Sequence, residues 1–230
     1  MNEFIAESAF FGVSISLLAY YIGTKIKKRF KSAVFNPLLI TIVLVIATLL
    51  ALRVDYDSYY SGAKYLSYLL IPATVSLAVP LYQQWQLLKT NALALMLGII
   101  SGMLTSLVAV LAFAVILGFD HKDYVTLLPK SITTAIGMGI SKELGGYVAI
   151  TVAAIVITGI LGNVIAETLL KFFKITNPIA KGIAIGSASH AMGTAKAMEL
   201  GEIEGAMSSL SIVVSGILTV VGATVFSYIY

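Results

Sequence analysis

Apolar residues run through this chain in blocks of roughly twenty, set apart by short polar interruptions. A block of about 20 residues crosses the hydrocarbon core of a bilayer when wound as an α-helix rising 1.5 Å per residue. Eight segments follow. Segment 1 runs from about Phe4 to Thr24, and segment 2 from Pro37, behind Asn36, to about Leu52. Segment 3 covers Tyr65 to Lys89, segment 4 Asn91 to about Leu117, and segment 5 Leu127 to Gly146. Segment 6 runs from Tyr147 to Leu170, segment 7 from Gly182 to Gly205, and segment 8 from Ala206 to Tyr230.

Three segments break the apolar pattern. Segment 3 contains Pro72 and Pro80, with Thr74 and Ser76 between them. Interior prolines remove backbone donors and break helices, so two half-helices or a re-entrant hairpin are expected there rather than a straight span. Segment 5, LLPKSITTAIGMGISKELGG, sets Lys130, Ser131, Thr133 and Thr134 behind Pro129. Segment 7 carries Ser187, Ser189, His190 and Thr194 among Gly182, Gly186 and Gly193. Hydrocarbon offers these polar groups no partner. Glycine-broken polar backbone at membrane depth is tolerated only where protein buries it or where it lines a wet cavity. Segment 7 is therefore the expected functional centre, with the rest of the chain as its housing.

Composition supports the membrane reading. Hydrophobic residues make up 59% of the chain and charged residues 11%, against about 25% charged in soluble domains. The expected fold is an all-α polytopic membrane protein, a single transmembrane domain over residues 1–230. The net charge of +4 is too small, and too local to particular loops, to suggest nucleic acid. The absence of cysteine excludes disulfides, thiolate catalysis, cysteine-ligated zinc and iron–sulfur clusters within this sequence. No metal-ligand spacing or phosphate-binding loop is present, so no metal or cofactor is expected. Ser189 beside His190 is no nucleophile pair, because adjacent helical residues do not face each other; no enzymatic activity is expected. The start, MNEFIAESAFF, lacks basic residues and a small-residue cleavage site, and reads as a retained helix rather than a signal peptide. Glu167 and Lys171 have the spacing of an i,i+4 pair, and Glu199, Glu202 and Glu204 read as a solvated loop end.

An internal repeat orders the segments. SGMLT at 101–105 returns as SGILT at 215–219, and the same offset sets Ile22, Gly23, Ile26 and Lys28 on Ile136, Gly137, Ile140 and Lys142. It also sets segment 3 on segment 7. Loop 25–31 carries five positive charges while its counterpart, 139–145, is neutral; loop 53–64 is neutral while its counterpart, 171–181, carries three. By the positive-inside rule, loops 25–31 and 171–181 face the cytoplasm, and the two halves face opposite ways. The expectation is two inverted repeats, about 1–117 and 118–230, each of three spans plus an interrupted or re-entrant segment. Inverted repeats with broken helices point to a transporter whose site lies near the midplane.

Half-helix N-termini at that depth present unpaired N–H groups to a carboxylate or phosphate. Pro72 to Ser76 and Ser187 to Thr194 are the two candidate ends. Lys130 reads either as the partner of a substrate anion, since an intramembrane lysine needs one, or as an interface lysine that snorkels. His190 reads either as a coupling-proton carrier or as a neutral histidine tying two helices together. The candidate substrate-binding set is Pro72, Thr74, Lys130, Ser131, Thr133, Thr134, Ser187, Ser189, His190, Gly193 and Thr194.

The stretch ASHAMGTAKAMELGEIEGAMSSL (188–210) resembles ASHGIGTARALELGEEEGAFSSL of the LrgB/CidB family of bacterial inner-membrane proteins. LLPKSITTAI (127–136) is similar to that family's LLPKSVTTPI, and NPLLI (36–40) and PATVSLAVPLY (72–82) also correspond. The departures are Ala191-Met192 for Gly-Ile and Ala135 for Pro. The resemblance covers nearly the whole chain. It implies an antiholin-like or holin-like role in murein hydrolase control and lysis, with a small LrgA/CidA-like membrane partner. It also implies kinship with carriers of small carboxylates: pyruvate in bacteria, glycolate and glycerate in plastids. A small-monocarboxylate transporter is the reading expected first, with the antiholin role as the alternative. A homo-oligomer in the lipid bilayer is expected in either case.

Overall fold

The computed structural model describes residues 10–30 and 35–230, together with all their side chains except those of Leu70 and Thr74. The first residues of segment 1 and Lys31 of its basic loop lie outside the described residues, as does the Thr74 side chain. Twelve α-helices and no strand occur among the described residues. The chain divides into two compact units, Met1–Ser76 and Leu77–Tyr230.

The first unit holds α1 (Phe11–Phe30), α2 (Pro37–Leu52), α3 (Tyr56–Ser67) and α4 (Leu70–Ser76). Asn36 starts α2 by accepting the Leu38 N–H at 2.8 Å, with Pro37 in the first helical position, where its missing N–H leaves no bond unmade. Asp55 caps α3 through the Ser58 N–H at 2.9 Å. Ser16 of α1 hydrogen-bonds Tyr59 of α3 at 2.8 Å.

The second unit holds α5 (Ala78–Gln83), α6 (Trp85–Thr90), α7 (Ala92–Leu117), α8 (His121–Leu127), α9 (Thr134–Glu143), α10 (Val148–Phe172), α11 (Pro178–Leu200) and α12 (Glu202–Ser227). Ala92–Leu117, Val148–Phe172 and Glu202–Ser227 are long and apolar enough to cross a membrane. Their apolar side chains lie on both sides of the packing. Leu95, Ile99 and Leu107 of α7 are buried, whereas Leu93 and Ile116 of the same helix are exposed, as expected where lipid rather than water is the neighbour. Helix α12 is the spine of this unit. Ala206 and Met207 pack with Leu95 and Ile99 of α7 and Ile183 of α11, and Ala223 packs with Leu107 and Val110 of α7 and Tyr124 and Val125 of α8.

Two expectations change in detail. Segment 7 begins earlier than Gly182: Asn177 caps α11 by accepting the Ile179 N–H at 2.9 Å, with Pro178 in the first position. This is the Asn-Pro start already seen at Asn36-Pro37. Segment 3 is a series of short helices, α4, α5 and α6, each within six or seven residues. Pro72 and Pro80 each stand in the first turn of one of them, where proline is tolerated.

Candidate functional site

Helix α11 is two helices joined at Ser189-His190. Ser189 has φ −131° and ψ 16°, and His190 has φ 43° and ψ −141°, neither of them helical. Beyond that point the chain turns back along itself. A Cβ on Gly193 would lie 3.0 Å from the Ile185 carbonyl oxygen and 2.6 Å from the Ser189 Cβ, and Ala197 shares a core with Ile185. Lys181 and Leu200 line one and the same cavity; in an unbroken helix, nineteen residues would separate them by about 28 Å. The segment is thus an interrupted helix folded back on itself as a hairpin, 178–200.

Side-chain hydrogen bonds hold its tip in an unfavourable backbone state. Positive φ is strained for a residue with a Cβ, by about 1–3 kcal/mol, and persists only where the surroundings over-determine it. The His190 Nε2–H donates to the Ile155 carbonyl of α10 at 3.0 Å. A carbonyl can only accept, so Nε2 carries a proton, and in the neutral form of the ring Nδ1 is the acceptor. Thr194 donates to the His190 carbonyl at 3.1 Å and lies 2.7 Å from the Ser208 hydroxyl of α12. The Asn163 amide of α10 donates to the Met192 carbonyl at 2.7 Å. Gly159 and Gly162 of α10 leave the space that the His190 ring and the Ser189 hydroxyl occupy. Ser187, Ser189, His190, Gly193 and Thr194 are all buried.

A second reversal lies in segment 5. Helix α8 ends at Leu127, the chain turns through Leu128–Thr133, and α9 runs back. The Thr151 hydroxyl of α10 clamps the two arms: it donates to the Thr126 carbonyl at 2.8 Å and lies 2.7 Å from the Ser141 hydroxyl. The Thr126 hydroxyl accepts the Tyr147 N–H at 2.8 Å. Lys130 and Ser131 lie in the turn itself. The Lys130 ammonium reaches the Ser131 hydroxyl at 3.1 Å and the Ser106 hydroxyl of α7 at 3.4 Å, and those two hydroxyls are 3.0 Å apart. Among the described residues no carboxylate pairs with it. Thr133 is the N-cap residue of α9 without a side-chain capping bond, and Thr134 begins that helix; both are half-buried.

The two tips converge from opposite ends of α12. The 178–200 hairpin opens beside its start, where Lys181 pairs with Glu204 at 3.7 Å. The 121–147 hairpin opens beside its far end, where the Tyr124 hydroxyl donates to the Phe226 carbonyl at 3.0 Å. Glu202 and Ser227 are about 37 Å apart along the helix axis, so the two mouths are a membrane thickness apart. Two contacts bring the tips close. On α7, Gly102 abuts Ser187 while Ser106 holds Lys130 and Ser131; four helical residues span about 6 Å. On α10, Ile155 meets Gly137 with its side chain and His190 with its carbonyl.

Of the expected set, the second unit therefore brings together Lys130, Ser131, Thr133 and Thr134 on one tip and Ser187, Ser189, His190, Gly193 and Thr194 on the other. Pro72 belongs to the first unit, where it is exposed. The reading of Glu204 as solvated is corrected: it is buried at 7% exposure against the hairpin mouth. The Glu167–Lys171 pair forms at 2.8 Å. Ser106, Asn163 and Ser208 escaped the sequence reading because small hydroxyl and amide residues on a long helix do not show which face meets the tips. Ser215, at 2% exposure, has a hydroxyl without a partner among the described residues, on the same face of α12 as Ser208.

Comparison with known proteins follows the same lines. The model of the LrgB-like family matches residues 16–229. The Antiholin-like protein LrgB of Bacillus mycoides (strain KBAB4) is 38% identical over 218 residues, covering 94% of this chain and 95% of the relative, and that of Bacillus cereus (strain B4264) matches equally. The protein YxaC of Bacillus subtilis (strain 168) is 37% identical over 206 residues, 90% of each chain. No solved structure matches. Matched along its length and built from apolar spans, this chain belongs to the LrgB-like family and is a multi-pass protein of the bacterial membrane.

Proposed function

We propose that this chain is an antiholin-like membrane protein whose working part is a site for a small monocarboxylate. The two halves of that statement rest on different observations. The names of the relatives, antiholin-like proteins, speak for an antiholin-like role and carry nothing on transport. Support for a carboxylate site comes from one observation: two opposed hairpin tips approach each other along α7, and the lysine on one of them has no acidic partner among the described residues. A lysine at membrane depth needs an anion or water.

In this reading the Lys130 ammonium pairs with the substrate carboxylate, with Ser131, Thr133 and Thr134 as hydrogen-bonding neighbours. The returning arm of the 178–200 hairpin starts at Ala191, and its unpaired N–H groups and partial positive charge face the same anion. Ser187, Ser189, Gly193 and Thr194 shape that end. The Nδ1 lone pair of His190 is the candidate seat of a coupling proton. Pro72 and Thr74 belong to the proposed set on the sequence pattern alone. The opposed entry of the hairpins suits alternating access, each mouth opening in turn. We infer inverted repeats for the two halves, although both observed reversals fall after residue 118. An LrgA-like partner and self-association complete the proposal.

Uptake of labelled pyruvate, glycolate and glycerate into liposomes holding the purified chain, with and without an LrgA-like partner, tests the carboxylate half. Saturable uptake of one of them is expected. Absence of uptake under both conditions would reduce the function to the antiholin-like role. Murein hydrolase release from cells with and without the chain tests the other half.

A further inference from the structure

A cavity of ≈ 460 Å³ opens at the mouth of the 178–200 hairpin, lined by Lys171, Lys174 and Lys181, with Leu170, Ile175 and Leu200 as its apolar wall. Its volume falls within the roughly 300–1,000 Å³ of small-molecule sites. Three lysines and one carboxylate, Glu167, line the cavity, and Lys181 also approaches the buried Glu204 at 3.7 Å. Glu167 is shared: Lys171 approaches it at 2.8 Å and Lys196 at 3.3 Å. The Lys171 side chain is 77% exposed, and exposed pairs of this kind are weak and readily exchanged. Lys174 has no ion pair among the described residues and sits at the C-terminal turn behind α10 with φ 55°. Phe172 and Phe173 beside it are exposed, 75% and 65%, which suits aromatic side chains at the headgroup level of a bilayer.

A pocket with cationic and apolar walls at that depth matches an amphiphilic anion better than a free one. We propose that this groove holds the headgroup of an anionic phospholipid of the cytoplasmic leaflet. Lys171, Lys174 and Lys181 face its phosphate, and Leu170, Ile175 and Leu200 lie against the glycerol and first acyl carbons. Basic pockets between membrane helices on the cytoplasmic side bind such lipids, and this loop is the one the charge pattern assigns there. The lipid would bridge the end of α10 to both arms of the hairpin, and so steady the mouth of the element that carries His190.

The test uses the full-length chain, stripped of lipid in a neutral detergent, and measures affinity for short-chain phosphatidylglycerol and phosphatidylcholine. Wild-type protein is expected to favour phosphatidylglycerol by tenfold or more. The double variant Lys171→Gln, Lys174→Asn should lose most of that preference, about fivefold per lysine. Asparagine tolerates positive φ, and Lys196 remains to pair Glu167, so helicity and melting temperature should hold. Lys171→Arg with Lys174→Arg should retain the preference, which separates lost charge from lost folding. Equal binding of the two lipids by the wild type, or an unchanged preference in the neutral double variant, would overturn the proposal. So would full displacement of phosphatidylglycerol by millimolar inorganic phosphate, which would assign the groove to a soluble anion.

Discussion

His190 occupies a backbone state that a glycine would occupy more easily, yet the ring is what the surroundings fit. Gly159 makes that fit possible: a Cβ there would lie 2.6 Å from the ring Cε1 and 2.8 Å from Nε2. Overpacking of this kind costs about 1–3 kcal/mol. Gly159→Ala should therefore lower thermal stability and weaken any function that needs the hairpin tip, whereas Gly139→Ala, with nothing within 4 Å of the new Cβ, should be neutral. Thermal unfolding of the two variants side by side checks this, and an unperturbed Gly159→Ala would remove the tight seat of His190. The chemistry of the tip was legible in advance because Ser187, Ser189, His190 and Thr194 are polar where the pattern demands apolar. The partners were not: the Ile155 carbonyl is backbone, and nothing in a sequence marks which carbonyl a ring will find.

The reversals at 178–200 and 121–147 were legible unequally. In segment 7, small residues and glycines crowd the turn, and an interrupted or re-entrant segment was expected there. In segment 3, prolines raised the expectation of two half-helices or a re-entrant hairpin, and the segment is a series of short helices with Pro72 and Pro80 in first turns. Segment 5 turns at Pro129 instead, because proline follows α8 there and ends it. Thr151 is the residue that makes this second hairpin hold together, since its hydroxyl meets both arms in a fully buried place. Thr151→Val keeps the shape and removes the hydroxyl, leaving the Thr126 carbonyl and the Ser141 hydroxyl short of a partner. A loss of about 1–3 kcal/mol is expected, with faster hydrogen exchange in α9 than in α12. Equal protection of α9 in variant and wild type would contradict the clamp.

Across the whole molecule, hydropathy and composition were enough for an all-helical, multi-pass protein, because lipid leaves the backbone few other choices. Division into Met1–Ser76 and Leu77–Tyr230 was not legible, since apolar blocks look alike whether they meet protein or lipid. From the charge pattern, 139–146 is expected outside and 171–181 inside, and the two hairpin mouths lie at opposite ends of α12. With no native cysteine, single-cysteine labelling is clean. Gly145→Cys should react with an impermeant thiol reagent from outside, and Thr176→Cys only after the membrane is opened. Labelling of both from one side would mean that the two mouths do not face opposite compartments.

Lys130 carries the central claim, that two opposed tips enclose a site for a small carboxylate. Its ammonium meets two serine hydroxyls and, among the described residues, no acid. A charge-assisted hydrogen bond to a carboxylate contributes about 1.5–3 kcal/mol, several-fold to roughly a hundredfold in affinity. The direct measurement is binding of pyruvate, glycolate and glycerate to the wild type and to Lys130→Ala, Lys130→Arg, Ser189→Ala and Thr133→Ala at matched membrane abundance. Lys130→Ala should bind that much more weakly while folding normally, and Lys130→Arg should rescue only in part, because the guanidinium is larger and fixed in its fork geometry. Ser189→Ala and Thr133→Ala should each weaken binding less than Lys130→Ala. Wild-type affinity in Lys130→Ala would make the lysine a mere anchor of its turn and contradict the account.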